Sequence, residues 1–308
     1  MAWWGYLRPL DTTHAEPPLP PPLPPGRLVN VGGRGEMLVR DQPASVPTDR
    51  PAILLLHGWT LSADLNWFAF YSALARHGRV LAMDVRGHGR GIRSEQRFSL
   101  EAAADDAAAL VTQLGAGPVI AGGYSMGGSI ALLMWRRHPE TVAGLVLASA
   151  ALQWRSALHE RALWSSMAGV EYVLRFGVPL GLTERYLRSA GEQNPDLAPV
   201  LAWLKAEALR GNPADIAAAG RGLGAFDARS YAPRIDVPSA VIVSRRDRLI
   251  RADRQWELAQ AIPNALTIEV DAAHNGWLVE PDRVCTAIEQ GVLHVVRRLP
   301  AGAAMAGR

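Results

Sequence analysis

Cysteine and lysine are almost missing from this 308-residue chain: Cys285 stands alone, and Lys205 is the only lysine among 32 basic residues. A single cysteine excludes a disulfide framework and any metal site built on cysteine ligands, and it fits a reduced, cytoplasmic setting. On its helical segment Cys285 is expected to pack rather than react. The basic residues are nearly all arginine and are scattered, so the net charge of +3 gathers into no basic stripe with interleaved aromatics. That argues against a nucleic-acid partner.

Long apolar runs are also missing. Met1 to Leu10 has neither a basic start nor an apolar stretch of adequate length, so no secretory signal is expected there. The span Ala107 to Trp135 carries no charge, but its glycines, Gln113, Pro118 and Ser125 break it into a helix end, a buried strand and a second helix. It reads as protein core and not as a bilayer crossing. The glycine-rich run Arg86-Gly87-His88-Gly89-Arg90-Gly91 has no Gly-Lys-Ser/Thr after it and opens no dinucleotide-type helix, which excludes a phosphate loop.

What is present is Gly123-Tyr124-Ser125-Met126-Gly127. Gly117 to Ala121 before it has the look of a buried strand. Ser129 to Arg137 after it carries Ile130, Leu132, Leu133 and Met134, an apolar set that suits a buried helix. A serine on so tight a strand-to-helix turn has its hydroxyl exposed, and the flanking glycines remove side chains that would strike the neighbouring strand and helix.

A serine hydroxyl needs a base, usually a histidine oriented by a carboxylate. Val237 to Val243 reads as a strand and is followed by Ser244-Arg245-Arg246-Asp247; Ala265 to Val270 alternates like a strand and is followed by Asp271-Ala272-Ala273-His274. Asp253 to Ile262 supplies a helix between them. The order Ser125, Asp247, His274 is the one expected of a sheet that gathers all three at its carboxyl edge. Asp84, Asp253 and Asp271 compete for the acid. Asp84 follows the strand Arg79 to Met83 and heads a glycine-rich loop that it is expected to brace, and Asp271 is expected to end its strand. The turn Ala148-Ser149-Ala150, after the next strand, offers no carboxylate. His57 and His88 compete for the base; the remaining histidines, 14, 77, 138, 159 and 294, are expected to be solvated.

These pieces together resemble the α/β-hydrolase superfamily, of the type with a lid inserted between the halves of the core. The match rests on His57-Gly58-Trp59 after the strand Ala52 to Leu56, Asp84 to Gly89, GYSMGG at 123–128, Asp247 in SRRDRLI and His274 in AAHNGW. The resemblance implies a mostly parallel central sheet flanked by helices with an all-helical cap, a Ser125–Asp247–His274 triad, and an oxyanion hole made by the backbone N–H groups of Trp59 and Met126. It makes the His57-Gly58 pair structural, shaping the turn that carries one oxyanion donor. No metal or organic cofactor is required by this chemistry. Dehalogenase and epoxide-hydrolase relatives carry aspartate at the elbow, so Ser125 argues against both.

The domain reading places a Pro-rich extension at 1–26, the core at 27–149 and 231–298, the cap at 150–230 and a tail at 299–308. Residues 16–25 hold seven prolines and should run as a stiff polyproline II spacer. Ahead of it Trp3, Trp4 and Tyr6 form an aromatic tip. Either the extension lies along the surface, or it docks on a membrane, a partner or the site mouth. The core opens with two short strands between Leu28 and Arg40. In the cap, helices are expected at Trp154 to Phe176, Thr183 to Ala190, Asp196 to Arg210 and Ala214 to Gly222, and their many aromatics favour an apolar substrate. The expected activity is hydrolysis of carboxylic esters with an apolar acyl or alkyl part. The same machinery could instead cleave C–C or amide bonds, transfer acyl groups or support perhydrolysis, and an idle triad would leave a receptor or scaffold.

Overall fold

Apolar runs too buried to face water set the centre of the molecule. A computed structural model describes residues 19–155, 164, 166 and 180–299. The aromatic tip, the last residues of the tail and most of the helix expected from Trp154 to Phe176 lie outside them. Eight strands form one sheet: β1 Gly26–Val31, β2 Gly35–Gln42, β3 Ile53–Leu56, β4 Val80–Met83, β5 Val119–Tyr124, β6 Val142–Ala148, β7 Ser239–Ser244 and β8 Leu266–Val270, in the order β1-β2-β4-β3-β5-β6-β7-β8. β1 and β2 pair antiparallel, as do β2 and β4; every other pairing is parallel. Every residue of β3, β4, β5 and β7 is buried, as strands covered on both faces must be.

Helices follow the strands: α1 Ala63–Trp67, α2 Tyr71–Leu74, α3 Leu100–Gln113, α4 Met126–Arg137, α5 Leu180–Gln193, α6 Leu201–Ala208, α7 Pro213–Ala225, α8 Ala252–Ala261, α9 Gly276–Val279 and α10 Pro281–Arg298. The period-two alternation of strand side chains sorts the core into two layers. Leu54, Leu56, Val119, Ala121, Val241 and Val243 join Leu110 of α3, Ile130 of α4 and Leu258 of α8. Ile53, Leu55, Ile120 and Ile242 join Tyr71, Leu74, Ile288 and Val292 on the other face. Cys285 packs in this second layer, where burial pushes its thiol up to about 12. It is an inert core residue.

Two element boundaries beside Ser125 differ from the sequence reading. β5 continues through Gly122, Gly123 and Tyr124, and α4 begins at Met126 and not at Ser129. The glycines, poor formers of either element, are there for close approach. A Cβ on Gly127 would collide with the Leu56 carbonyl, and one on Gly123 with the carbonyl of Gly127. The helix expected over Asp196 to Arg210 is divided, because Pro199 confines Pro195–Val200 to a 3-10 turn before α6 starts.

After β3 the chain crosses to β4 on one side, then returns to place β5 on the other. This reversal opens a crevice at the carboxyl ends of the central strands. Between β6 and β7 the chain makes a long excursion carrying α5, α6 and α7. Its two ends meet, since Gln153 bridges Asp227 antiparallel and the Ala228 N–H donates to the Leu152 carbonyl at 2.9 Å. Among the described residues no helix is long and apolar enough to cross a membrane.

Candidate active site

Ser125 is the single residue between β5 and α4, and its backbone sits at φ 55°, ψ −115°. For a residue with a Cβ this conformation costs on the order of 1–3 kcal/mol. Two short bonds hold it: the Ser125 N–H donates to Ala148 at 2.9 Å, and its carbonyl accepts from the Gly128 N–H at 2.9 Å. Met126 opens α4 directly behind the serine. Its N–H lies in the first turn, where helical amides have no intrahelical acceptor and favour negative charge.

Asp247 and His274 come from the loops after β7 and β8. His274 Nδ1 lies 2.7 Å from Asp247 Oδ2, with the carboxylate side chain wholly buried and the imidazole about one quarter exposed at 23%. An ionised carboxylate only accepts, so Nδ1 carries the hydrogen and Nε2 keeps its lone pair. The Leu249 and Ile250 N–H groups donate to Asp247 Oδ1 at 2.9 and 2.8 Å, and Gln255 Nε2 lies 3.1 Å from Oδ2. The histidine loop is tied to the serine turn as well: the Tyr124 hydroxyl donates to the His274 carbonyl at 2.9 Å.

The rival residues have other partners. The Val85 N–H donates to His57 Nε2 at 2.9 Å, and His57 Nδ1 lies 2.9 Å from the Gly58 carbonyl. Both ring nitrogens are therefore spent on the backbone of two turns, and burial lowers the imidazole to about 4. His88 packs 5.5 Å from it, centroid to centroid, and burial lowers that ring to about 3. Asp84 braces its loop by accepting from the Ala63 and Arg90 N–H groups at 2.7 Å each. Asp271, half-exposed, faces Arg245, Arg246 and Arg283. The expectation of solvated outer histidines fails at His294, whose Nε2 is buried, while His14 and His159 lie outside the described residues. It fails also at His77 and His138, whose rings lie 3.0 Å from Glu289 and 2.7 Å from Asp105. Each sits where a helix end meets an acid from a distant segment.

A cavity of about 510 Å³ opens over this edge of the sheet and is lined by both Ser125 and His274. Trp59, Trp154, Trp164, Leu223 and Trp277 form much of its wall, and among its described lining residues His274 and Tyr124 are the only ionisable ones. Two of the indoles have their N–H satisfied by the protein: Trp59 donates to the Ile216 carbonyl at 2.6 Å and Trp154 to Ser129 Oγ at 3.1 Å. They present apolar faces to the cavity. Trp164 packs against both, with centroids 5.8 Å from Trp59 and 5.6 Å from Trp154.

An ionic cluster with buried carboxylates and partly exposed arginines anchors α6 to the core beside the cavity. Arg90 reaches Asp64 at 2.7 Å and Glu207 at 3.0 Å, and Arg210 holds Glu207 from the other side at 2.6 Å. Burial raises the Glu207 carboxyl against the pull of these arginines. The Asn212 N–H donates to the Gly87 carbonyl at 2.8 Å, so the glycine-rich run serves as a seat for the start of α7. Among the described residues no group of three or more His, Cys, Asp or Glu side chains could hold a metal ion.

This sheet order, the strained serine turn and the strand-end loops are those of the α/β-hydrolase fold, and a family model of that description matches residues 51–281. The chain belongs to the α/β-hydrolase fold family. A pimeloyl-[acyl-carrier protein] methyl ester esterase from Xanthomonas axonopodis pv. citri is 28% identical over 258 residues, spanning 80% of this chain and 96% of its own. A thermophilic esterase from Thermogutta terrifontis superposes with a TM-score of 0.73 at 25% identity, covering 88% of this chain and 99% of that one. An enol-lactonase from Burkholderia xenovorans LB400 gives 0.74 at 25% identity, covering 87% and 99%.

Proposed function

We propose that this protein is a serine hydrolase acting on carboxylic esters with an apolar acyl or alkyl part. The observation that carries the reading is the meeting, at one cavity, of a serine on a strained turn and a histidine whose Nδ1 lies 2.7 Å from a buried carboxylate. Ser125 Oγ attacks the ester carbonyl as its proton passes to His274 Nε2. Asp247 keeps the imidazole oriented and balances its positive charge. The Trp59 and Met126 N–H groups receive the oxyanion, and each such donor is typically worth about 2.7–4 kcal/mol of barrier. His274 then protonates the leaving alcohol, and water, activated by the same histidine, cleaves the acyl-enzyme.

On this reading residues 27–149 and 231–298 are the catalytic core and residues 150–230 a cap, a division supported by the Gln153–Asp227 bridge where the excursion closes. An indole-rich cavity favours substrates without a free carboxylate near the scissile bond, since a desolvated anion there would meet no lysine or arginine among the described lining residues. Ester hydrolysis is also what the names of the pimeloyl and thermophilic relatives state of those proteins. Lactones, which open by the same steps, form the second substrate class to assay, given the likeness to an enol-lactonase.

The test is covalent. A fluorophosphonate probe should label the wild-type protein and spare Ser125→Ala, and the same substitution should abolish turnover of p-nitrophenyl esters. Labelling that is equal in both proteins, or ester hydrolysis that survives the substitution, would refute the assignment.

A further inference from the structure

The core-facing stripe of α8 contains one residue of the wrong kind. Gln255, Leu258 and Ala259 are its buried positions, spaced as an apolar face should be, yet the first is a glutamine with no exposed surface. A buried carboxamide is costly unless its bonds are made, and here all are. Gln255 Oε1 accepts from the Ser244 N–H at 2.8 Å, while Nε2 donates to the Ile250 carbonyl at 2.6 Å and to Asp247 Oδ2 at 3.1 Å. An N–H on one side and a carbonyl on the other dictate which end of the amide is oxygen.

One side chain therefore clamps the last residue of β7, the far end of the following loop and the carboxylate between them. The oxygen it grips, Oδ2, is the one that faces His274 Nδ1 at 2.7 Å. With Oδ1 held by the Leu249 and Ile250 N–H groups, the carboxylate is bonded on both oxygens and cannot turn about its own bond to Cβ. The clamp extends to the turn after the neighbouring strand β6, where Ser244 Oγ lies 2.8 Å from Ser149 Oγ, and Ser149 holds a left-handed φ of 49°.

We propose that Gln255 is a positioning residue of the active site: it locks Asp247 with Oδ2 turned to the histidine and fixes the loop that carries it. The proposal rests on the reading of Asp247 and His274 as acid and base. A glutamine that only filled the core would affect stability but not the Asp247–His274 couple, and a double-mutant cycle separates the two roles.

Turnover of p-nitrophenyl butyrate and thermal melts are measured for wild type, Gln255→Leu, Gln255→Glu, Asp247→Asn and Asp247→Asn/Gln255→Leu. Gln255→Leu should lower kcat roughly 10- to 100-fold, the worth of a hydrogen bond to a charged group, with KM within about twofold of wild type. In the Asp247→Asn background the same change should cost less than about threefold. Gln255→Glu keeps the acceptor for the Ser244 N–H but sets a carboxylate against Asp247, so it tests the same point in a chain that retains the clamp's shape; its kcat should fall at least as far. Wild-type kcat in either folded single variant, or equal losses in the two backgrounds, overturns the proposal. If Asp247→Asn alone turns over like wild type, the acid–base reading fails and this proposal falls with it, a pattern distinct from failure of the clamp alone.

Discussion

Replacing His57 by glutamine should make the stability of this protein less sensitive to acid, by an amount that follows from the histidine's surroundings. His57 is wholly buried, accepts from the Val85 N–H, and is lowered to about 4 from the ordinary 6.5 because burial disfavours the imidazolium. Between those two values the unfolded chain binds a proton at this site and the folded chain does not, so stability falls as pH falls. The contribution is complete above about pH 6.5 and is lost progressively down to about pH 4. Between pH 7.5 and 4.5 the loss comes to about 2.5 kcal/mol for this one group. The raw slope also contains His88, lowered like His57, and Asp84 and Glu207, whose carboxyls are raised by burial and act with opposite sign. Glutamine offers an acceptor and a donor but does not titrate, and losing the imidazole also relieves part of the lowering of His88, which acts in the same direction. Guanidinium unfolding of both proteins at pH 7.5, 6.5, 5.5 and 4.5 gives ΔG for each. Whatever the His57→Gln substitution costs at pH 7.5, that penalty should shrink by about 2–3 kcal/mol at pH 4.5. A penalty that stays constant with pH, or grows in acid, would refute the reasoning.

Two further outcomes are expected. Tyr124→Phe removes the hydroxyl that holds the His274 carbonyl at 2.9 Å; the ring still packs against Trp67, so the melt should move little while kcat falls several-fold, about the worth of one neutral hydrogen bond. An unchanged kcat would show that the loop keeps its position without that bond. Glu207→Ala removes the buried carboxylate that Arg90 and the half-exposed Arg210 share between α6 and the core; it should lower stability by about 1–2 kcal/mol. Calorimetry checks this, and a loss under about 0.5 kcal/mol, the size of an exposed pair, would show that the cluster does not anchor the helix.

The strands and the elbow were legible because their signals are local. Leu54 and Ile53 announce a two-faced strand whatever lies around them, and glycines at 123 and 127 announce a close approach before its partner is known. The same holds for the places of Ser125, Asp247 and His274, since each follows a strand and parallel strands of one sheet end on one edge. What was not legible depends on segments meeting across the fold. Nothing near His77 or His138 foretells Glu289 or Asp105. Whether the Trp59 ring walls a pocket or packs in the core depends on such contacts too. The structure makes it both, since its indole N–H is spent on Ile216 of α7 while its ring faces the cavity.

Gln255 does carry a sequence signal, though a faint one. A run such as Gln255-Trp256-Glu257-Leu258-Ala259 reads as an ordinary amphipathic turn, and one polar residue on an apolar stripe is easily assigned to a frayed edge. Buried polar side chains persist only where partners satisfy them. A glutamine eight residues beyond a loop carboxylate, on the stripe that faces the strand ends, has few places to find such partners except that loop. The same logic extends within this fold. A polar side chain on the inner face of the helix that follows a strand can hold the intervening loop from behind. Asp106 plays a comparable part in the β4–β5 crossover: buried in the second turn of α3, it binds Arg86 through both oxygens, at 2.6 and 2.8 Å, and so pins the loop that carries Asp84 and His88. The precision of the carboxyl edge is thus set by helices that contribute no reacting atom to it.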